Sequence, residues 1–167
     1  MSNFRVIVTN LSLLTVLTLS LAAKDSGQGF GGKWVIEKKS VRSPQTPEDL
    51  RQDISVRGTD VTIQSRFKEP ANGIAPLLFL GIMTSSLHLT TDGKTAQNQI
   101  GPFQQASTTT LDGHKMETDW NATVNGDDVK GHWTRTLSDD GKHMTLTIKE
   151  SSTKGQGGEA TVEFVRK

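Results

Sequence analysis

The sequence predicts an all-β fold, an antiparallel up-and-down meander of about eight to ten strands closed into a barrel. Three observations carry this. From Trp34 onward, short runs alternate apolar and polar residues. Turn dipeptides separate the runs at fairly regular spacing: Arg57-Gly58, Asp92-Gly93, Asp112-Gly113, Asn125-Gly126 and Asp140-Gly141, then the KGQGG loop. No segment has the 3.6-residue apolar period of a helix. Asp-Gly and Asn-Gly supply the positive φ that tight hairpins need, so each strand pairs with the next. A sheet this long must curl or split, and closing it removes its edges. A two-sheet sandwich would show the same alternation and is the alternative.

The strands follow in order. The first, about 33–39, puts Trp34 and Ile36 on one face, and the second, about 50–56, aligns Leu50, Gln52, Ile54 and Val56. The third, about 60–68, aligns Val61, Ile63, Ser65 and Phe67, and a run near 86–91 aligns Leu87 and Leu89. Segments 94–100 and 105–111 are polar and weakly patterned. Strand 115–124 aligns Met116, Thr118, Trp120, Ala122 and Val124. In the hairpin 129–148, Val129, Gly131, Trp133, Arg135 and Leu137 face the same way as Met144, Leu146 and Ile148. The last strand, 159–166, aligns Ala160, Val162, Phe164 and Arg166. The opposite faces are polar, as in antiparallel sheets with one wet side.

Two segments break this rhythm. Residues 1–23 begin with one charge, Arg5, continue as VIVTNLSLLTVLTLSLAA and end on small residues. They read as a secretory signal peptide rather than a retained anchor. Residues 24–32 read as a small-residue linker, and 33–167 as one barrel domain. Residues 69–86 are apolar from Ile74 to Met83 around Pro76. They suit either a buried strand or short helix at one barrel end, or a flap over a cavity mouth.

Composition removes several function classes. The 167 residues contain no cysteine, which excludes disulfides, thiolate metal sites and a cysteine nucleophile. Without residues 1–23, 18 Lys and Arg face 18 Asp and Glu, so no basic field points to nucleic acid. His88, His114, His132 and His143 lack the spacing of a metal site. Asp127-Asp128 and Asp139-Asp140 fall in turns, where Asp is favoured for local backbone bonds. No nucleophile elbow or phosphate loop occurs. No catalytic residue, cofactor or metal is expected.

Arg135 is the exception on an otherwise apolar face. Its guanidinium can stack on Trp34 or Trp133 as a structural arginine, meet an anionic head group in a cavity, or be turned to solvent by a bulge. Buried, it needs partners. Gln52, Ser65 and Thr118, on inward faces, are candidates.

The G-x-W of Gly32 and Trp34 at the first strand, the meander and the inward late arginine together resemble the lipocalin-like proteins of the calycin superfamily. The small secreted bacterial relatives, with runs such as SDDGKHMTLTIKES, are the most similar. The resemblance covers about residues 30–167. It implies that Trp34 packs at the closed barrel end beneath an arginine from a late strand. By position Arg166 matches that role first and Arg135 second. The fatty-acid-binding branch holds a ligand carboxylate with an inward arginine and a tyrosine. This chain has no Tyr, and Pro44 and Pro47 break the segment where that branch has its two-helix lid.

The expectation is a periplasmic or secreted, non-enzymatic barrel that carries or senses a small apolar or amphipathic molecule. It has no nucleic-acid partner and no membrane association after signal cleavage. The candidate ligand-binding residues are Arg135, Trp133, Trp120, Met116, Met144, Phe67, Leu89, Gln52 and Thr118; for Trp120, Trp133, Met116, Met144, Phe67 and Leu89, ordinary core packing is the leading reading of any single one. The alternatives are a packed barrel acting through its surface as an interaction or inhibitor module, and an enzyme without a recognisable motif.

Overall fold

The computed structural model describes residues 28–37, 49–67, 86–155 and 157–167. The signal peptide read in 1–23, and the apolar segment 69–86 as far as residue 85, lie outside the described residues. Ten strands follow a 3₁₀ turn at Gln28–Phe30. They are β1 (Gly32–Ile36), β2 (Arg51–Arg57), β3 (Asp60–Arg66), β4 (Ser86–Thr90), β5 (Asp92–Ile100), β6 (Phe103–Asp112), β7 (Lys115–Val124), β8 (Asp127–Leu137), β9 (His143–Ser152) and β10 (Gly157–Arg166).

All ten form one antiparallel sheet in the order β4-β3-β2-β1-β10-β9-β8-β7-β6-β5. Apart from the join of β1 to β10, strands paired in the sheet are neighbours in sequence, which makes a meander. The first strand pairs with the last through Trp34↔Arg166 and Ile36↔Phe164, and this join curls the sheet into a nearly closed barrel rather than a sandwich. The turns have the predicted chemistry: Asn125 and Gly126 both take positive φ, 52° and 72°, as a type I′ hairpin requires.

The remaining seam lies between β4 and β5. Side chains bridge it, Thr90 at the turn end and Asn98 further along. The Asn98 carboxamide on β5 accepts from the His88 backbone N–H at 2.7 Å and donates to the His88 carbonyl at 2.9 Å. It thus imitates one peptide unit of an antiparallel ladder.

Inward residues from both halves make one core, from Phe30 and Trp34 through Ile54, Ile63 and Leu89 to Trp133, Leu146 and Phe164. Phe30 corrects the linker boundary. It is 1% exposed, and its carbonyl accepts the Trp34 indole N–H at 2.9 Å, so residues 28–32 belong to the barrel. The weakly patterned segments are strands too. Their buried positions are Ala96, Asn98, Ile100, Gln105, Ser107 and Thr109, polar at four of the six, which blurred the apolar alternation without erasing the strands.

Candidate functional site

The register fixes which inward residues lie level with one another on the wall. One rung runs Leu111, Met116, Arg135, Leu146, Val162 across β6 to β10. The next is Thr109, Thr118, Trp133, Ile148, Ala160. The third is Ser107, Trp120, Gly131, Glu150, Gly158, and the fourth includes Gln105, Ala122 and Val129.

Two arginines competed for the place over Trp34, and Arg166 holds it. Its Cζ lies 4.4 Å from the Trp34 ring centroid. Its Nε donates to the Gly141 carbonyl at 2.8 Å, Nη1 to Gly31 at 2.6 Å, and Nη2 to Gly29. Gly32 has φ 134°, and a β-carbon there would sit 2.9 Å from Arg166 Nη1, so the backbone conformation and the close approach both require glycine.

Arg135 is left facing the interior. It has 0% exposure, and none of its three guanidinium nitrogens has a hydrogen-bond partner among the described residues. Its Cζ lies 5.9 Å from the Trp133 ring centroid, at the outer range of a cation–π contact. None of the helpers expected from the sequence bonds to Arg135, although Gln52 Oε1 is itself without a partner among the described residues. Gln52 Nε2 donates to Ser65 Oγ at 3.1 Å, and Thr118 shares a 3.0 Å hydroxyl bond with Thr109. Burial pulls the guanidinium down to about 10, which leaves it a cation at neutral pH.

Beyond Trp133 lies an acidic group that the sequence reading missed. Glu150 is buried, its Oε1 accepts the Trp133 indole N–H at 3.4 Å, and Oε2 has no partner among the described residues. Burial pushes its carboxyl up to about 8 against the smaller opposing effect of the Trp133 bond, so it is mostly protonated at neutral pH. The alternate count Met144, Leu146, Ile148 reaches Glu150 at its next step, a signal that was present in the sequence.

Trp120 packs on Trp133 at 5.3 Å between centroids and a 45° tilt. It needs Gly131 opposite it, because a β-carbon there would overlap the indole. Trp120 Nε1 is buried without a partner among the described residues, as are both amide atoms of Gln105. Of the predicted candidates, Arg135, Trp133 and Trp120 are brought together in sequence of contact. Met116 is level with Arg135, and Met144 lies level with Leu137 on the adjacent rung. Gln52 and Leu89 are buried across the barrel on β2 and β4, and Phe67 is half-buried against the core.

The outer face carries a different feature, a concavity of about 700 Å³ over β5 to β9 lined by Asp119, Lys130, His132 and Lys149. His132 belongs to this wet face, with Nδ1 2.8 Å from Asp119 Oδ1. Among the described residues, no three His, Asp or Glu side chains converge as metal ligands.

No family model and no curated protein matches the chain in sequence. Among solved structures, it is similar to a secretory abundant heat soluble (SAHS) protein from Ramazzottius varieornatus, at 10% identity and a TM-score of 0.53, over 87% of this chain and 100% of that one. It is also similar to a point mutant of the fluorescent protein UnaG, at 14% identity and a TM-score of 0.50, over 84% and 97%. A fatty-acid-binding protein from Echinococcus granulosus aligns at 10% identity and a TM-score of 0.48, over 83% and 98%. The first two likenesses show the fold, a nearly closed up-and-down antiparallel β-barrel.

Proposed function

We propose that this chain is an exported binding protein for a small amphipathic anion, held by apolar burial with its head group on Arg135. One observation carries the reading: a fully buried guanidinium without a hydrogen-bond partner among the described residues. A lone buried charge costs several kcal/mol and calls for a compensating role. The structural role is already taken by Arg166, so an anionic ligand is the partner that Arg135 lacks. Because Arg135 has no accessible surface, the head group must displace packed side chains to reach it. Met116, level with Arg135, is flexible enough to yield. Export rests on the leader pattern of residues 1–23.

The test is native mass spectrometry of the protein purified from its own host, with titration of a fluorescent fatty acid. An anionic amphipath should accompany the native protein and be lost from Arg135→Met. Absence of a bound species, together with no saturable titration, overturns the reading. It would favour the second one, a module acting through the outer concavity of Asp119, Lys130, His132 and Lys149. Cell fractionation and the N-terminal residue of the mature chain test export.

A further inference from the structure

The interior holds a second unpaired polar group set, separate from Arg135. Glu150 and Trp120 share the third rung, and Gln105 lies one rung further on. Glu150 Oε2, Trp120 Nε1 and both amide atoms of Gln105 are buried with no partner among the described residues. Arg135 and Gly131, the β8 member of the third rung, are four residues apart, about 13 Å along a strand at ~3.3 Å per residue. Between them the indole of Trp133 makes an apolar spacer that faces Arg135 and bonds to Glu150. The interior therefore carries unpaired polar atoms at two levels, separated by the Trp133 indole and the mutually bonded Thr109 and Thr118 hydroxyls.

We infer that the ligand is two-ended, with an anionic head at Arg135 and a hydroxyl further along its chain that the Glu150, Trp120 and Gln105 side chains recognise. This rests on the anion-binding reading above. The chemistry selects a hydroxyl because the second set offers both kinds of partner. Trp120 Nε1–H, the Gln105 amide N–H and the Oε2–H of the protonated Glu150 carboxyl donate, while the Gln105 carbonyl oxygen accepts. A hydroxyl both donates and accepts. A plain alkyl chain would leave these buried atoms unsatisfied, and such unmet groups are what let a site reject the analogue lacking the hydroxyl.

The experiment is isothermal titration of the native protein with hexadecanoate and with a positional series of its mid-chain hydroxylated analogues. At least one hydroxylated analogue should bind tighter than hexadecanoate by about tenfold or more. Gln105→Leu and Glu150→Leu should remove that preference while hexadecanoate binding is kept, and Arg135→Met should weaken binding of both classes. Glu150→Gln serves as the milder variant if a leucine substitution prevents folding, as judged by circular dichroism. Equal affinity of every analogue and hexadecanoate, with Arg135 still required, overturns the two-ended ligand and leaves the anion reading standing. No binding by any of these acids overturns both.

Discussion

Arg166 covers the Trp34 ring at 4.4 Å while its guanidinium donates to three backbone carbonyls, those of Gly29, Gly31 and Gly141. It ties the entry turn before β1, the β8–β9 hairpin and the chain end to one indole. Lysine cannot reproduce this, since one ammonium on a flexible stem does not span three carbonyls and stack as well. Arg166→Lys should destabilise the barrel by about 2 kcal/mol, lowering the melting temperature by several degrees. A melting curve that superimposes on the native one would show that the clamp contributes nothing.

Arg135 carries the opposite expectation. Its conjugate-acid pKa is lower in the folded state than in the unfolded chain, so folding favours the neutral form and the cation destabilises the fold at every pH below about 10. Arg135→Met removes that penalty and keeps much of the volume. It should leave the ligand-free protein as stable or more stable by about 1–3 kcal/mol, in contrast to Arg166→Lys. Urea unfolding of delipidated protein at neutral pH measures this. A loss of stability above about 1 kcal/mol, the scale of a hydrogen bond, would mean that Arg135 is structural after all.

These two arginines show how far the sequence could be read. Alternation and turn dipeptides located the described strands other than β5 and β6, because strand period and hairpin turns are local properties. The β1–β10 join decided between barrel and sandwich, and no local pattern encodes such a long-range pairing. Alternation put Arg135 and Arg166 on the inward side, but only the register and the chain end put Arg166 over Trp34. The second polar set was harder to see. Asn98, Gln105 and Ser107 are polar residues on the inward side of strands whose outward side is polar as well, so no contrast marked them. Glu150 was legible by continuing the count past Ile148.

Asn98 sits where the ladder between β4 and β5 is missing, with its carboxamide bonded to both backbone groups of His88. Asn98→Ala should cost about 1–2 kcal/mol, since both bonds to His88 and the long one to Ser107 are lost and the β4 backbone groups gain water in exchange. The local effect should exceed the global one. Amide exchange at His88 should accelerate well beyond that of central strands such as β8, because the seam opens without unfolding the rest. Unchanged protection at His88 would rule out the bridging role.

Glu150 makes stability depend on pH in an unusual direction for a carboxylate. Its folded value, about 8, lies above the ordinary 4.5, and burial is the main cause. The folded state therefore holds the proton more tightly than the unfolded chain does. The resulting stabilisation is fully present below about pH 4.5 and is lost as pH rises through about 8. The native protein should lose stability by a few kcal/mol over that interval, the reverse of the usual acid unfolding by paired carboxylates. Glu150→Gln keeps the shape and the bond from Trp133 but cannot ionise, so its chemical-denaturation midpoint should be nearly flat over the same window. His88, His114, His132 and His143 lie on the exposed or half-buried outer face and are common to both proteins, so the difference between the two curves isolates Glu150. Parallel curves for the native protein and the glutamine variant would show that the carboxyl is solvated and not held neutral in the wall.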